Sequence, residues 1–168
     1  GRTLDLDSAY RQLFLAPCSS WAAVVEVYNP VLKVKQYFIM EALPFGATAS
    51  VHGFNRLAFA LQFVGMALFG LCWTSFFDDF PTVTWEVLGN DCQETSEGFL
   101  DLVGWRYSKK DSKRLPAARQ FTALGVVFDL AEAQQQVLIV RNKDERLVNF
   151  ETMIQHIRSR SSFTQAEA

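Results

Sequence analysis

Cysteine and histidine are scarce in this chain, and their spacing excludes more than their number. Three cysteines, Cys18, Cys72 and Cys92, are spread over 168 residues with no CxxC pair. That excludes a thiolate zinc site and a disulfide framework, and it points to a reducing compartment. Cys18 and Cys72 have apolar neighbours in sequence and are expected to be core thiols. The two histidines, His52 and His156, have no partner at ligand spacing, so a histidine metal site is not supported. His52 reads as a helix residue and His156 as a surface one. Net charge is only −2, which excludes a chain that binds nucleic acid through bulk basicity. There is no internal repeat and no low-complexity tract. A full-length apolar span is also missing. Residues 57–73 are apolar except for Gln62, fall short of the ~20 residues a spanning helix needs, and run directly towards Asp78-Asp79. The segment is expected to be a buried, central helix, with no membrane partner.

What is present is hydrophobic: 49% of residues are hydrophobic and 14% aromatic, which excludes a disordered chain and suffices for one domain with a real core. Charge is unevenly placed. Residues 1–105 carry 5 basic and 11 acidic side chains, whereas residues 106–168 carry 11 basic and 7 acidic. An acidic half able to hold cations therefore precedes a basic half able to hold phosphates. No secretory leader pattern is visible, and the chain opens in what reads as the middle of a strand, so a piece of a longer polypeptide is expected.

Residues 3–6 read as a strand ending in acidic residues, and 10–15 as a helical turn closed by Pro17. Residues 21–28 and 34–42 are rich in β-branched and aromatic residues around the Asn29-Pro30 turn signal, so they form a hairpin. Residues 48–69 have helical length, with Thr48 or Ser50 as N-cap. Residues 71–75 and 80–85 form a second hairpin. Residues 93–103 form an amphipathic helix with Phe99, Leu100, Leu102 and Val103 inward, closed by Gly104. The segment 106–119 is a basic loop, with six Lys/Arg against one Asp. Residues 121–130 and 136–140 are expected to pair as a third hairpin. A final helix capped by Asn142 or Asp144 carries Leu147, Phe150, Ile154 and Ile157 at helical spacing, and 159–168 is polar. The expected class is α+β: one antiparallel sheet with helices on one face.

The sequence Phe76-Phe77-Asp78-Asp79-Phe80 is the chemical centre of the chain. Two adjacent carboxylates among large apolar residues are costly to bury unless something compensates them. A hairpin tip presenting them to divalent metal would do so. Asp5, in Leu4-Asp5-Leu6-Asp7-Ser8-Ala9-Tyr10-Arg11-Gln12, ends a strand and could join them. Mg²⁺ prefers hard oxygen ligands and takes one or two protein carboxylates beside substrate phosphates, and the Leu6 carbonyl could add another oxygen. Strand alternation puts Asp7 on the face of Asp5, so Asp7 stays a competing ligand.

Four blocks then occur in a recognisable order. Leu4-Asp5-Leu6-x-x-Ala9-Tyr10-Arg11-Gln12 resembles the first catalytic motif of retroelement reverse transcriptases. Leu43-Pro44-Phe45-Gly46-Ala47 resembles the second, Phe76-Phe77-Asp78-Asp79 the third, and Phe121-Thr122-Ala123-Leu124-Gly125 the primer-grip segment. The resemblance covers residues 3–130. It implies a polymerase palm over 1–130 without its fingers, followed by a palm-to-thumb or connection segment over 131–168. It implies Asp5, Asp78 and Asp79 as ligands of Mg²⁺ or Mn²⁺ and Lys113 as proton donor to pyrophosphate, with Lys109 and Lys110 as rivals. Leu6, Tyr10, Phe45 and Gly46 would line the nucleotide site, with Tyr10 excluding the 2′-hydroxyl. Leu124 and Gly125 would place the primer end. Implied partners are an RNA or DNA template with primer and a deoxynucleoside triphosphate, in the cytoplasm or nucleus. Ser8 departs from the family, where Asp is common. Without fingers, this piece alone is expected to be inactive. A catalytically silent palm that binds nucleic acid or protein is the alternative, and an unrelated membrane or interaction protein built on helix 57–73 is a further one.

Overall fold

The computed structural model describes residues 1–159; the end of the polar tail, 160–168, lies outside the described residues. Strand β1 (Arg2–Asp5) pairs antiparallel with β4 (Asp79–Thr82) in the register Arg2↔Thr82, Thr3↔Pro81, Leu4↔Phe80 and Asp5↔Asp79. Alternation along β1 buries Arg2 and Leu4 and leaves Thr3 and Asp5 half-buried on the other side. The backbone continues the pairing beyond β1. Leu6 bridges Tyr107, Asp7 N–H donates to the Arg106 carbonyl at 3.0 Å, and Ser108 N–H to the Asp5 carbonyl at 2.8 Å.

Helix α1 spans Thr48–Phe69, the range expected from its length and apolar run. It is not central. One stripe, Ser50, Phe54, Ala58, Leu61 and Gly65, is buried at helical spacing, while Phe59, Phe63, Met66 and Leu68 are exposed. Neither Thr48 nor Ser50 is the N-cap; that position is Ala47, with no side-chain bond. The helix stops at Gly70, whose φ of 65° is the left-handed conformation that glycine adopts without a Cβ penalty. At Gly65 a Cβ would collide with the Trp73 indole, so the missing side chain is what lets the ring pack there. Among the described residues no helix is long and apolar enough to cross a membrane.

Helix α2 (Gly89–Leu102) turns Phe99 and Leu100 inward; Leu102 and Val103 are exposed, contrary to expectation. The core gathers Leu4, Leu6, Phe54, Leu61, Trp73, Phe80, Phe99, Leu100 and Tyr107, drawing on β1, β4, both helices and the 105–108 segment. Cys18 and Cys72 are exposed rather than core thiols; their apolar sequence neighbours do not enclose them. Trp73 is core and Trp105 packs at its edge, while Trp85 is exposed.

Among the described residues, the sheet expected as one unit is three small antiparallel ones. Strands β2 (Val24–Asn29) and β3 (Val34–Ile39) form a ribbon alone, and residues 17–22, partly assigned to its first strand, are instead a 3₁₀ turn begun by Pro17. The Asn29 side chain caps the ribbon turn by accepting from Val31 and Leu32 N–H. One ribbon face carries the Glu26–Lys35 ion pair and the bond from Tyr37 to Glu26, and the other carries Val25, Val27, Val34 and Phe38, all exposed. Segment 121–130 is not one strand. Leu124-Gly125 folds it into β5 (Gln120–Ala123) and β6 (Val126–Asp129), and β7 (Ile139–Asn142) joins as a third strand. Both turn residues have positive φ, 52° and 78°, as a two-residue hairpin turn requires. Helix α3 (Asp144–Arg158) follows Lys143 at the N-cap, without a side-chain bond from Asn142 or Asp144. The architecture is thus mixed α+β with small antiparallel sheets.

Candidate carboxylate site

The β1–β4 register sets Asp5 opposite Asp79. Asp78 follows at the tip, where Phe76 and Asp79 exchange backbone bonds of 2.9 and 3.1 Å around the two-residue loop Phe77-Asp78. The tip is tied to β1 by the Leu6 N–H, which donates to the Asp78 carbonyl at 2.9 Å. Phe77 sits at φ 53°, a conformation that a bulky side chain resists and that a hairpin of this length ordinarily assigns to glycine. This strain lies beside the carboxylates, where surrounding structure must hold it in place.

Gln62 is part of that hold. Its Oε1 accepts from Ser75 N–H at 2.9 Å and Ser75 Oγ at 2.8 Å, and its carbonyl accepts from the Trp73 indole at 3.1 Å. The lone polar residue of an otherwise apolar run therefore anchors the arm leading to the tip. That exception was visible in the sequence; its target was not.

Lys113 reaches Asp5 from the basic loop, Nζ to Oδ2, at 2.6 Å. Its pKa is raised, first by this hydrogen bond and further by the charges of Asp5, Asp79 and Asp78, with burial opposing. The ammonium thus feels all three carboxylates and stays charged at neutral pH. Asp79 is pushed above the ordinary carboxylate range, first by burial and then by repulsion from Asp5 and Asp78; Lys113 works the other way. As directly opposed residues of an antiparallel pair, Asp5 and Asp79 project their carboxyls from the same face. Such crowding favours a cation. As the side chains stand, no group of three or more His, Cys, Asp or Glu among the described residues forms a metal-holding set. The facing pair Asp5/Asp79 nevertheless matches the one or two hard carboxylates that Mg²⁺ takes from protein. Asp7 is exposed, off the end of β1, and its backbone engages Arg106 and Gln12, so the frame of the site favours Asp5.

Tyr10 closes one side. Burial, then the charge of Asp78, raises the pKa of its hydroxyl. Its ring stacks on buried Phe54 at 4.8 Å and meets Phe45 edge-on at 5.5 Å. Phe45 is exposed, and Gly46, at φ 88°, has open space where a Cβ would stand. Asp5, Asp78, Asp79, Lys113, Tyr10 and Phe45 are therefore brought together. The Leu6 side chain is in the core, so only its backbone could meet a substrate. Leu124 and Gly125 stand apart. Their hairpin runs beside β1, where Thr3 Oγ1 donates to the Thr122 carbonyl at 3.1 Å. Among the described residues no hydrogen bond, ion pair or ring contact links that turn to the carboxylates. Gly125 instead lies close to the Arg146 guanidinium. Lys109 lies over the Tyr107 ring at 5.2 Å, and the Lys110 carbonyl accepts from the Lys113 and Arg114 N–H groups, so Lys113 is the lysine delivered to the site.

Sequence reasoning missed Gln12, whose amide bonds the Asp7 and Arg106 carbonyls and the Arg106 N–H, stapling the first acidic segment to the basic loop. It also missed Glu97, buried on α2 and bonded to Arg2 and Arg114. Only a charged residue on the inward side of α2 could have signalled it. Compared with models of known protein families and with curated proteins, the chain finds no match in either.

Proposed function

We propose that this chain is a polymerase palm of the reverse-transcriptase kind, the part of a larger intracellular enzyme that adds deoxynucleotides to a primer 3′-hydroxyl on an RNA or DNA template. The observation that carries the reading is the register placing Asp5 opposite Asp79 beneath Lys113, with the Tyr10–Phe45 pair at the side. In the reaction, the primer hydroxyl gives up its proton to solvent as its oxygen forms a bond to the α-phosphorus, the bond from that phosphorus to the oxygen bridging to the β-phosphate breaks, and pyrophosphate leaves. Asp5 and Asp79, with Asp78, would hold Mg²⁺ or Mn²⁺, which supplies the positive charge that activates the attacking oxygen and stabilises the leaving one. Lys113 is poised to give a proton to the leaving pyrophosphate once substrate draws it from Asp5. The Tyr10 ring, fixed between Phe54 and Phe45, occupies the space a 2′-hydroxyl would need. Phe45 and Gly46 offer an open wall to the base and its template partner, and Leu124-Gly125 serves the primer strand.

One observation favours the second reading, a silent palm that binds nucleic acid or protein. The Lys113–Asp5 ion pair is also how a scaffold without chemistry would neutralise its carboxylates. Primer extension decides between them. In the longer polypeptide that the reading implies, Asp5→Asn, Asp78→Asn and Asp79→Asn should each lower extension by roughly 10³-fold or more with the fold retained. Extension that survives Asp78→Asn removes Asp78 from the site. No extension by the unaltered protein, with template binding intact, establishes the silent module.

A further inference from the structure

Glu97 lies on α2, distant in sequence from β1 and shortly before the basic loop, and touches both. Its Oε1 accepts from Arg2 Nη2 at 3.4 Å, Gln93 Nε2 at 3.0 Å and Arg114 Nε at 3.0 Å; its Oε2 accepts from Arg114 Nη2 at 2.6 Å. Arg2 shares β1 with Asp5. Arg114 follows Lys113 in a turn closed by the N–H groups of both residues on the Lys110 carbonyl, at 2.9 and 2.8 Å. One buried carboxylate thus ties the strand that carries Asp5 to the turn that carries Lys113.

The energetics say what this tie is for. Lys113 is half exposed, and an ion pair reaching into water gains little once the cost of holding its long side chain still is counted. Its contact with Asp5 cannot by itself order the loop. A two-pronged guanidinium–carboxylate contact with a buried carboxylate can. Nor is the cluster arranged for stability alone. Buried ion pairs often do no better than apolar replacements, and Arg2 Nε and Nη1 are buried without a protein acceptor. What the cluster does provide is geometry.

We propose that Glu97 is a positioning residue: through Arg114 it fixes the 110–114 turn so that Lys113 is delivered to the Asp5/Asp79 pair. Its consequence for rate rests on the polymerase reading above; the positioning itself does not. Two measurements keep these apart. The first is ¹⁵N NMR of the lysine ammonium groups without substrate. The Lys113–Asp5 contact is expected in the unaltered protein and lost in both Glu97→Gln and Arg114→Met, with the β1–β4 amide signals unchanged. The second is single-turnover nucleotide addition. Each variant should slow the step by about 10–100-fold with nucleotide KM within about twofold, because a proton donor out of place forfeits most of its effect. Glu97→Gln combined with Lys113→Ala should be no slower than Lys113→Ala alone, since both remove one function. Persistence of the ammonium contact in both single variants overturns the proposal, as does further slowing in the double variant. If the unaltered protein, within the longer polypeptide which that reading implies, adds no nucleotide, the polymerase reading falls and the NMR result still decides the positioning. Should Glu97→Gln not fold, Arg114→Met carries both measurements, because its guanidinium is half exposed.

Discussion

Replacing Asp79 by Asn should stabilise the protein in the absence of divalent ions. Asp5 and Asp79 are directly opposed across β1 and β4, and like charges so placed cost on the order of 0.2–1 kcal/mol. Asp79 is also half-buried and has the Asp78 charge beside it, so the upper half of that range applies. Lys113 offsets part of the crowding, but its bond is to Asp5, which Asp79→Asn leaves intact. The net gain is about 0.5–1 kcal/mol, or roughly 1–4 °C in Tm for a chain of this size. Asp5→Asn should gain less, because it also breaks the Lys113 pair. Thermal melts at neutral pH in EDTA test this. Added Mg²⁺ should reverse the order. At tenfold above its Kd it adds ~1.4 kcal/mol to the unaltered protein and little to Asp79→Asn. A clear loss of stability in Asp79→Asn without metal would show that this carboxylate is satisfied rather than crowded, and the case for a cation site would go with it.

Three more outcomes are expected. Tyr10→Ala should admit ribonucleotides into primer extension, raising their use relative to deoxynucleotides by at least about 10-fold; unchanged sugar selectivity would remove Tyr10 as the gate. Glu97 is pulled two ways: burial would push its carboxyl up, but Arg114 and Arg2 outweigh that and hold it below the ordinary range. A lowered folded value means that its stabilisation is complete above the unfolded value of about 4.3 and is lost as pH falls through the folded one. Glu97→Gln should therefore cost about 2–4 kcal/mol at pH 7 and flatten the acid side of the stability curve, read by urea melts from neutral to acid pH. Gly65→Ala should cost about 1–3 kcal/mol in the same melts, because the new methyl meets the Trp73 ring; a neutral result would place the indole elsewhere.

The parts of this molecule governed by local rules were legible in its sequence. Helix α1 falls on the expected residues, since a stretch of helical length with an apolar second half, bounded by Gly46 and Gly70, has few other solutions. The strand character of the Asp5 segment and the hairpin tip at Asp78-Asp79 were readable locally, but that β1 and β4 are neighbours was only a condition for a shared site, met by the register. What failed depended on tertiary surroundings. An apolar run does not say how much of itself will be covered, so α1 was expected at the centre and lies with one face open. The segment 121–130 hid a hairpin because its first turn residue, Leu124, takes the positive φ that sequence rules assign to Gly or Asn. Glu97, Gln12 and Gln62 act at long range, through atoms that no spacing rule connects.

The β2–β3 ribbon carries a practical warning for anyone purifying this chain. Among the described residues neither β2 nor β3 pairs with a third strand, and one broad side is oily. A lone two-stranded ribbon is marginal in water, and unguarded margins recruit others of their kind. Lys33 and Lys35 are the ribbon's only cationic deterrents, and Glu26 already engages Lys35. Self-association at high concentration should begin there, and a lysine placed at Val27 would be the first remedy to try.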